Sequence, residues 1–484
     1  MFKKAVFLAV LIMALSFGSA FADQIDSLSS GGPNIITAGP VAPTQLYVNP
    51  GGLGDVLIYG YYNVRGQDQF FTVTNTSDTT GARVRIRFRE AAKLPAPECQ
   101  GSHEVLDFDI CLSAGDMWTG RLFTGADGAA WIKSTDIDTY VQTSGLPDGS
   151  GTIGIFTDLY PTGVGFKYGS KSDNSAITAD MTREGYFEII GERALSDVCG
   201  ATGQPPCTCG NLIDVVNSEV PNSLMGHSYM IKLGTFETYG YLATPIANFT
   251  LRDITPADGI GSAKPDLEDN DDFVLTSTKN PITPVNYALT KNHLYGIYDI
   301  ETAFSGNTAY VVTFPTKSFT HTETVNSSGK CVAGSDDIFD DPSVYITIWD
   351  DKENTDNPSQ CEFSPCPPGT GNTLPDEVTV LNIENSSVFG TGDSSANVTK
   401  ALNFQTATFD FGWIDIDLYN AGRNTPAGVE VGGVLVAATE HMTTVGTEAT
   451  LGLPAIGYQA LKVAGGKATG MMPMQYSTSV VQPR

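Results

Sequence analysis

The chain has 484 residues, with 27 lysines and arginines against 54 aspartates and glutamates, which gives a formal net charge of −27. A surface this acidic repels nucleic acid and anionic lipid headgroups, so we expect neither of these as a partner. The 51 glycines and 27 prolines, with only 17% charged residues, are typical of a turn-rich extracellular β protein rather than a helical one.

The first 22 residues have the form of a cleavable secretory signal. Two lysines precede an apolar run over residues 5–17, and the small-residue pattern Ala20-Phe21-Ala22 follows it. No later stretch approaches the ~20 uninterrupted apolar residues of a membrane helix. We therefore predict an exported chain that begins near Asp23, has no membrane span, and resides at the extracellular cell surface, with the periplasm as the alternative.

Residues 23–44 are rich in Ser, Gly, Pro and Ala and predict a linker or an edge segment. Residues 45–250 then carry short, closely spaced, strand-like segments separated by turn residues. Such spacing predicts an all-β unit, an antiparallel β-sandwich of immunoglobulin-like type. Its central segment is Arg83–Arg89, where arginine alternates with large apolar or β-branched residues, the period-two pattern of a half-buried strand.

The arginines of this strand have two interpretations. The residues in question are Arg83, Arg85, Arg87 and Arg89. If the segment containing Asp107 and Asp109 lies beside them, carboxylates and guanidiniums form a cross-strand ladder, and we favour this interpretation. The alternative is a basic stripe that binds a sulfated, phosphorylated or uronic-acid glycan through bidentate contacts.

Residues 251–292 are acidic and punctuated by Pro and Gly, which predicts a linker, and residues 293–484 predict a second β-sandwich unit. Strand-like segments of the second unit resemble those of the first in the same order, and this predicts a duplication with unequal loop insertions. The proposed equivalents are Tyr310–Lys317 and Phe71–Thr76, Val344–Trp349 and Val84–Phe88, Glu377–Ile383 and Glu104–Ile110, and Gly412–Ile416 and Gly185–Ile189. The second unit lacks the arginines, so the fold does not require them.

Eight cysteines in an exported chain predict disulfide bonds. They are Cys99, Cys111, Cys199, Cys207, Cys209, Cys331, Cys361 and Cys366. Proximity along the chain favours the pair Cys99–Cys111, Cys199 with Cys207 or Cys209, and Cys331 with Cys361 or Cys366. No C-x-x-C pair occurs, which disfavours zinc, iron–sulfur and haem sites.

Acidic clusters are the recurring polar feature that suits a cation. Ca²⁺ takes ~6–8 oxygen ligands, and several loops offer carboxylates at close spacing. The candidates are Asp266, Asp269, Asp271, Asp272, Asp336 and Asp337. No EF-hand pattern is present, and solvated acidic loops are the alternative. No other cofactor is predicted.

Catalytic patterns are weak in this sequence. The five histidines are scattered, and no nucleophile elbow or phosphate-binding loop occurs. Asp107 with Asp109, and Asp415 with Asp417, each share one face of a strand, as a glycosidase pair would. Solvent-facing alternation explains both pairs more simply.

Aromatic residues offer a further site of interest. The tyrosines of Tyr59-Gly60-Tyr61-Tyr62, together with tryptophans, are suited to a sugar-binding platform. Trp131, Trp349 and Trp413 lie in apolar-alternating contexts, however, and for these we predict packing in the core.

Several strings in the chain are particular enough to compare with known families. They are Val48–Asp55 (VNPGGLGD), Val105–Asp109 (VLDFD), Asp116–Gly120 (DMWTG), Val311–Lys317 (VVTFPTK) and Gly452–Gly457 (GLPAIG). Over nearly the whole mature length the chain resembles a group of exported bacterial cell-surface proteins. The resemblance implies export and a surface role, and it transfers no catalytic residue to this chain.

We predict from these features a non-catalytic structural or adhesive protein of the cell surface. The alternative is an extracellular module that binds glycans or anions, and the third possibility is an enzyme that acts on polysaccharide. The expected partners are other surface proteins, glycans, or further copies of the chain.

Overall fold

The computed structural model describes residues 46–92, 94, 101–143, 152–172, 174–195, 199, 205–209, 222–249, 267, 282–320, 323–325, 327–328, 331–333, 343–352, 355–356, 372–374, 376–383, 388–389, 398–402, 409–418, 429–431, 434–436, 442–445 and 448–481. The predicted signal sequence, the segment 23–44 and most of the predicted linker lie outside these residues. Among the described residues, no helix combines the length and apolar composition needed to cross a membrane.

The first half of the chain forms fourteen described strands and one short helix. The strands are β1 Tyr47–Val48, β2 Val56–Asn63, β3 Asp68–Asn75, β4 Gly81–Glu90, β5 Glu104–Leu112, β6 Met117–Thr124, β7 Ala130–Ser134, β8 Tyr140–Gln142, β9 Ile153–Ile155, β10 Val164–Gly165, β11 Glu184–Leu195, β12 Leu224–Lys232, β13 Glu237–Leu242 and β14 Thr244–Ala247. The helix, α1, spans Phe156–Leu159.

Two antiparallel sheets pack face to face in this half. Sheet A has the order β1-β14-β2-β11-β4-β5-β8-β9, and sheet B has the order β10-β7-β6-β3-β12-β13. Between them lies an aromatic core in which the ring of Phe187 stacks on Tyr59 at 4.2 Å and lies 4.7 Å from Phe71 and from Phe88. Alternation along β3 and β4 supplies these rings to the inner faces, as a period-two pattern requires.

The second half adds twenty described strands and two helices. The helices are α2 Ile282–Leu289 and α3 Lys317–Thr320; the strands are β15 Thr290–Lys291, β16 His293–Asp299, β17 Asn307–Thr313, β18 Glu323–Val325, β19 Cys331–Ala333, β20 Ser343–Asp350, β21 Thr355–Asp356, β22 Asn372–Thr373, β23 Val378–Ile383, β24 Thr399–Leu402, β25 Phe411–Asp417, β26 Val429–Val431, β27 Val434–Val436, β28 Met442–Val445, β29 Glu448–Leu451, β30 Leu453–Pro454, β31 Ile456–Val463, β32 Ala468–Pro473, β33 Gln475–Ser477 and β34 Ser479–Val481.

Sheet C of this half has the order β21-β20-β25-β16-β33, with β22 also paired to β20, and sheet D has the order β24-β23-β17-β31-β32. Only β24 joins its neighbour in parallel among these described pairs. Tyr310 and Val312 of β17 pack with Ile346 and Ile414 of sheet C in a second core. The smaller described sheets pair β15 with β30, β18 with β19, and β26 with β27, and a three-stranded sheet has the order β28-β29-β34. The predicted all-β sandwich architecture is confirmed.

Eight strands of each half share one order and one pattern of pairing. In sheet A, β14-β2-β11-β4 corresponds to β33-β16-β25-β20 of sheet C, and in sheet B, β6-β3-β12-β13 corresponds to β23-β17-β31-β32 of sheet D. Every one of these pairings is antiparallel, and the strands follow each other along the chain in the same sequence.

One of the predicted equivalences between the halves is wrong. Segment Glu104–Ile110 lies in β5 and pairs with β4 in sheet A, whereas Glu377–Ile383 leads into β23, which pairs with β17 in sheet D. By topology β23 corresponds to β6 instead. Both segments begin with Glu-Val and alternate apolar with polar residues. This alternation does not specify the partner strand, so two short strands can look alike without being equivalent.

The two halves pack against each other through the outer face of sheet D. Val311 of β17 and Tyr458 of β31 belong to the same apolar cluster as Tyr59 and Phe187 of the first half. The hydroxyl of Thr313 donates to the carbonyl of Gly60, within the same interface. The predicted units are thus joined by a continuous core, although no described sheet contains strands from both halves.

Two disulfides are described, and one corrects the sequence-based pairing. Cys199 bonds Cys207, one of the two predicted options, but Cys111 bonds Cys209 rather than Cys99. The Cα atoms of Cys111 and Cys209 are 5.3 Å apart across a separation of 98 residues. Cys111, near the end of β5, forms one buried cluster with Leu195 and the other three described cysteines. The fold therefore brings Cys111 close to Cys209, although Cys99 is nearer in sequence. The remaining cysteine side chains, those of Cys99, Cys331, Cys361 and Cys366, lie outside the described set.

Candidate functional site

The arginines of β4 lie on the face of sheet A that points away from sheet B. Val84, Ile86 and Phe88 occupy the inner face, so the alternating arginines are directed outward from that core. They are nevertheless buried, and Arg85 is 0% exposed. In register, Arg85 lies opposite Asp109 and Arg87 opposite Asp107, as the ladder interpretation predicts.

Ion pairs connect these arginines to carboxylates on both neighbouring strands. Arg85 Nη1 is 2.6 Å from Asp109 Oδ1, and its other terminal nitrogen pairs with Asp107. Arg83 Nε is 2.6 Å from Glu192 Oε2 on β11 and also pairs with Asp109. The two contacts with Asp109 are charge-assisted hydrogen bonds, the strong class of protein hydrogen bond.

The other two arginines of β4, Arg87 and Arg89, also lie near carboxylates of the neighbouring strands β5 and β11. Arg87 Nη2 is 2.6 Å from Glu104 Oε2, and the Nε atoms of Arg87 and Arg89 lie 3.9 and 3.8 Å from Glu188 Oε1. Burial opposes ionisation of Glu104, but the charges of Arg87 and Arg89 prevail and lower its pKa. Burial and the charge of Asp109 raise the pKa of Glu192, whereas Arg83 opposes the rise.

This placement corrects the anion-binding interpretation of the arginines. Guanidiniums that are buried and paired within the chain present no basic stripe to an external glycan. Asp107 and Asp109 are 2% and 0% exposed, so the expected solvent-facing alternation of this pair is wrong, and the pair does not resemble an accessible glycosidase pair. Sequence alternation predicted the ladder but not its burial, because part of its cover, at Pro315 and Phe319, comes from the second half.

The covering segment follows β17 and contains the end of the string Val311–Lys317. The Tyr186 hydroxyl of β11 donates to the Pro315 carbonyl at 3.1 Å. The guanidinium carbon of Arg89 lies 4.4 Å from the ring centre of Phe319. The end of the string Val311–Lys317 is therefore part of the interface between the two halves.

Glu377 completes this interface. The Ser102 backbone N–H donates to Glu377 Oε1 at 2.7 Å, and Glu377 is fully buried. Burial raises the pKa of Glu377 to about 7, although the nearby Lys317 charge opposes the rise.

The outer face of sheet C, which occupies the position equivalent to the ladder face, is aromatic and partly open. Trp349 of β20 and Trp413 of β25 lie directly opposite each other, with ring centres 3.9 Å apart and planes at 4°. Trp413 is 40% exposed. On the neighbouring strand β16, Tyr295 lies 6.3 Å from Trp413 and stacks on His293 at 5.7 Å.

The core location predicted for these tryptophans is wrong. The isoleucines of β20 and β25 fill the inner face, and the register places Trp349 and Trp413 on the opposite side with Thr347 and Asp415. Trp131 on β7 is also only partly buried, and its indole N–H donates to Asp127 Oδ1 at 2.8 Å. The tyrosines proposed as a sugar platform, Tyr59, Tyr61 and Tyr62, are fully buried instead.

Polar groups border the aromatic rings of sheet C. Asp415 Oδ1 lies 2.9 Å from His293 Nδ1, and this hydrogen bond raises the pKa of His293. The hydroxyls of Tyr295 and Ser477 are 3.3 Å apart. We define the aromatic face as Trp349, Trp413, Tyr295, His293 and Asp415. Flat ring surfaces beside hydrogen-bonding groups suit the recognition of a ligand that has both apolar and hydroxylated surfaces.

A cleft of about 540 Å³ lies between β13 of sheet B and β32 of sheet D. Thr238 and Thr469 close one side of the junction, with hydrogen bonds of 3.0 and 2.8 Å. Tyr241 and Met471 line the cleft, and His227 is at its exposed side. The described lining offers few polar groups that converge on one point, so the cleft is the weaker candidate.

All six proposed calcium ligands lie outside the described residues. Within the part of the chain that the structure describes, no group of three or more His, Cys, Asp or Glu side chains is arranged to hold a metal ion. The calcium prediction therefore stays a prediction.

The resemblance to exported cell-surface proteins likewise stays a prediction. In comparisons with protein-family models, with curated proteins and with solved structures, nothing matched the chain.

Proposed function

We propose that this protein is a non-catalytic structural or adhesive protein that is exported to the cell surface. The observation that supports this most directly is the continuous apolar core between its two sandwiches, which runs from Phe187 to Tyr458. A shared core holds the two halves in one fixed arrangement, since relative motion would expose apolar surface to water. The molecule thereby suits the presentation of an exposed face at a constant position.

Two further features support an extracellular location. Disulfides such as Cys111–Cys209 persist in oxidising compartments, and the acidic composition favours solubility. The apolar N-terminal run followed by Ala20-Phe21-Ala22 provides the export signal.

Duplication of one sandwich is part of the same proposal. The eight equivalent strands share chain order and pairing, and equivalent glycines occupy the same position on β11 and β25. At Gly185 the space of a side chain is filled by the Arg89 carbonyl, and at Gly412 by the Trp349 carbonyl. A common steric requirement at the same register supports descent of both halves from one unit.

Localisation tests the proposal. The full chain is produced in bacterial cells, the cells are fractionated, and intact cells are treated with an external protease. We expect an N-terminus near Asp23 and loss of the protein from the cell surface on protease treatment. Recovery in the cytoplasm contradicts export, and turnover of any glycan or peptide in a substrate panel by the purified protein contradicts the non-catalytic role.

A further inference from the structure

We propose that the aromatic face of sheet C binds an uncharged polysaccharide, with Trp413 as the principal stacking residue. The inference deepens the adhesive function proposed above and rests on it, because it names the ligand class and the face. Each step depends on the geometry of β16, β20 and β25.

The aromatic rings cross three adjacent strands. Trp413 lies between the other two rings: Trp349 of β20 is directly opposite it, and Tyr295 of β16 is opposite Asp415, two residues from Trp413 on β25. With strands ~4.8 Å apart, the row extends over roughly 10 Å, about the length of a disaccharide. Trp349 covers one face of the Trp413 ring, so a pyranose would place its C–H groups against the exposed remainder of that ring while its hydroxyls contact polar neighbours.

The hydrogen-bonding groups of the face match hydroxyls rather than anions. Asp415 accepts hydrogen bonds, and its contact with His293 fixes that imidazole beside Tyr295. Asp417, two residues along the same strand face, adds a second carboxylate opposite His293. These carboxylates, on a chain of net charge −27, repel sulfated and uronic-acid glycans, so charge complementarity selects an uncharged chain.

On the outer face of sheet A, the positions equivalent to Trp413 and Trp349 are in contact with another part of the chain. Tyr186 and Arg89 occupy the register positions of Trp413 and Trp349, and there the chain itself covers them, through Pro315 and Phe319. On sheet C the side chain equivalent to Tyr186 is instead the 40% exposed Trp413. A flat, apolar group in contact with the rings is therefore compatible with the backbone of this sheet.

The test uses the purified mature protein on an array of neutral, amino-bearing, sulfated and uronic-acid glycans, followed by calorimetric titration of the best neutral oligosaccharide. We expect binding to neutral glycans, and a loss of affinity of about tenfold or more for Trp413→Ala. Asp415→Asn is expected to lower affinity less. Trp131→Ala is the matched control, because Trp131 is a partly buried tryptophan on an outer face of the other half, and we expect it to bind as the wild type does.

Thermal unfolding of each variant establishes that the fold is retained. The proposal is overturned if no neutral glycan binds, if only anionic glycans bind, or if Trp413→Ala binds as tightly as the wild type. Self-association that Trp413→Ala abolishes, without glycan binding, assigns the face to a second copy of the chain and also overturns it. These outcomes leave the surface location untouched, since that location is measured on intact cells.

Discussion

The outer faces of sheets A and C are built on equivalent strands in the same register, yet their contents are opposite. On sheet A, the pair Arg89–Tyr186 belongs to a buried network of guanidiniums and carboxylates. On sheet C, the equivalent pair Trp349–Trp413 is a stacked and partly exposed aromatic pair. The same strand arrangement accepts either a charged or an aromatic outer face. Which side chains are stable there depends on what packs against the face, not on the strand geometry.

Energetics explain why the covered face holds charges in pairs. Desolvation of an ion costs several kcal/mol, and only close partners with good hydrogen-bond geometry offset that cost. Arg85 lies within ion-pair distance of both Asp107 and Asp109, and its Nη1 donates a hydrogen bond to Asp109 Oδ1 at 2.6 Å. The aromatic face has no comparable requirement, because its rings and carboxylates retain contact with water. Changes in the two faces should therefore differ strongly in their effect on stability.

Arg85→Met should produce the largest effect. It retains most of the side-chain length but leaves Asp109 and Asp107 buried without their central cation, and we expect a loss of about 3–5 kcal/mol in the free energy of unfolding. Thr347→Ala, on the equivalent strand and face of sheet C, is the control and should cost under about 1 kcal/mol. Urea denaturation measures both, and equal effects of the two substitutions would contradict the difference between the faces.

The pH dependence of the free energy of unfolding should report on Glu377, which is buried in the interface between the two halves. Because burial raises the pKa of Glu377 to about 7 from an ordinary value of 4.5, the folded state binds this proton more tightly than the unfolded state. The stabilising contribution is complete below pH 4.5 and is lost as the pH rises through about 7, on the order of 3 kcal/mol in total.

Glu377→Gln should remove that contribution, so its stability relative to the wild type improves as the pH rises from 4.5 to above 7. Denaturant titrations at several pH values measure the difference between the two proteins. A difference that is independent of pH would show that Glu377 does not titrate in this window.

Gly60→Ala should have an intermediate effect on the free energy of unfolding. It tests the packing of sheet D on β2 rather than the ion pairs of β4. A Cβ at this position would lie 2.8 Å from the Tyr458 ring and 3.2 Å from Ile456, and we expect a loss of about 1–3 kcal/mol. Gly470→Ala on β32 is the matched control, because a Cβ there meets nothing within 4 Å. Thermal and urea unfolding compare the two; a tolerated Gly60→Ala would mean that sheet D does not press closely on β2.

Trp413→Phe should have the smallest effect on stability, under about 1 kcal/mol, because this side chain is partly exposed. Its spectroscopic effect should be large. Two indoles 3.9 Å apart and nearly parallel couple their electronic transitions, so the substitution should remove a paired signal from the near-ultraviolet circular dichroism spectrum. Trp131→Phe serves as the control, and an identical change in both variants would argue against the stacked pair.

Much of the architecture could be predicted from the residues alone. Alternation identified β4 and β20 as strands, the spacing of turns identified a sandwich, and the order of similar segments related β3 to β17 and β11 to β25. The pairing of Arg85 with the strand of Asp109 could also be anticipated, because opposite charges on adjacent strand faces attract each other.

Other features needed contacts between residues far apart in sequence. The partner of Cys111 is 98 residues away, and the partner strand of β23 lies in a different sheet from that of β5. The orientation of Trp413 was mispredicted because a hydrophobic ring was assumed to face inward. Local pattern does not specify the partner in any of these three cases.

The sequence by itself determined that strands form, that their two faces differ, and that arginine and carboxylate lie within reach of each other, since these follow from the period-two geometry of a strand. Only the tertiary structure decided which faces are covered. The segment at Pro315–Phe319 covers Tyr186 and Arg89 on the outer face of sheet A, whereas Trp413 on sheet C stays partly exposed. Burial depends on the docking of one sandwich on the other, and a strand's own residues do not encode what packs against it.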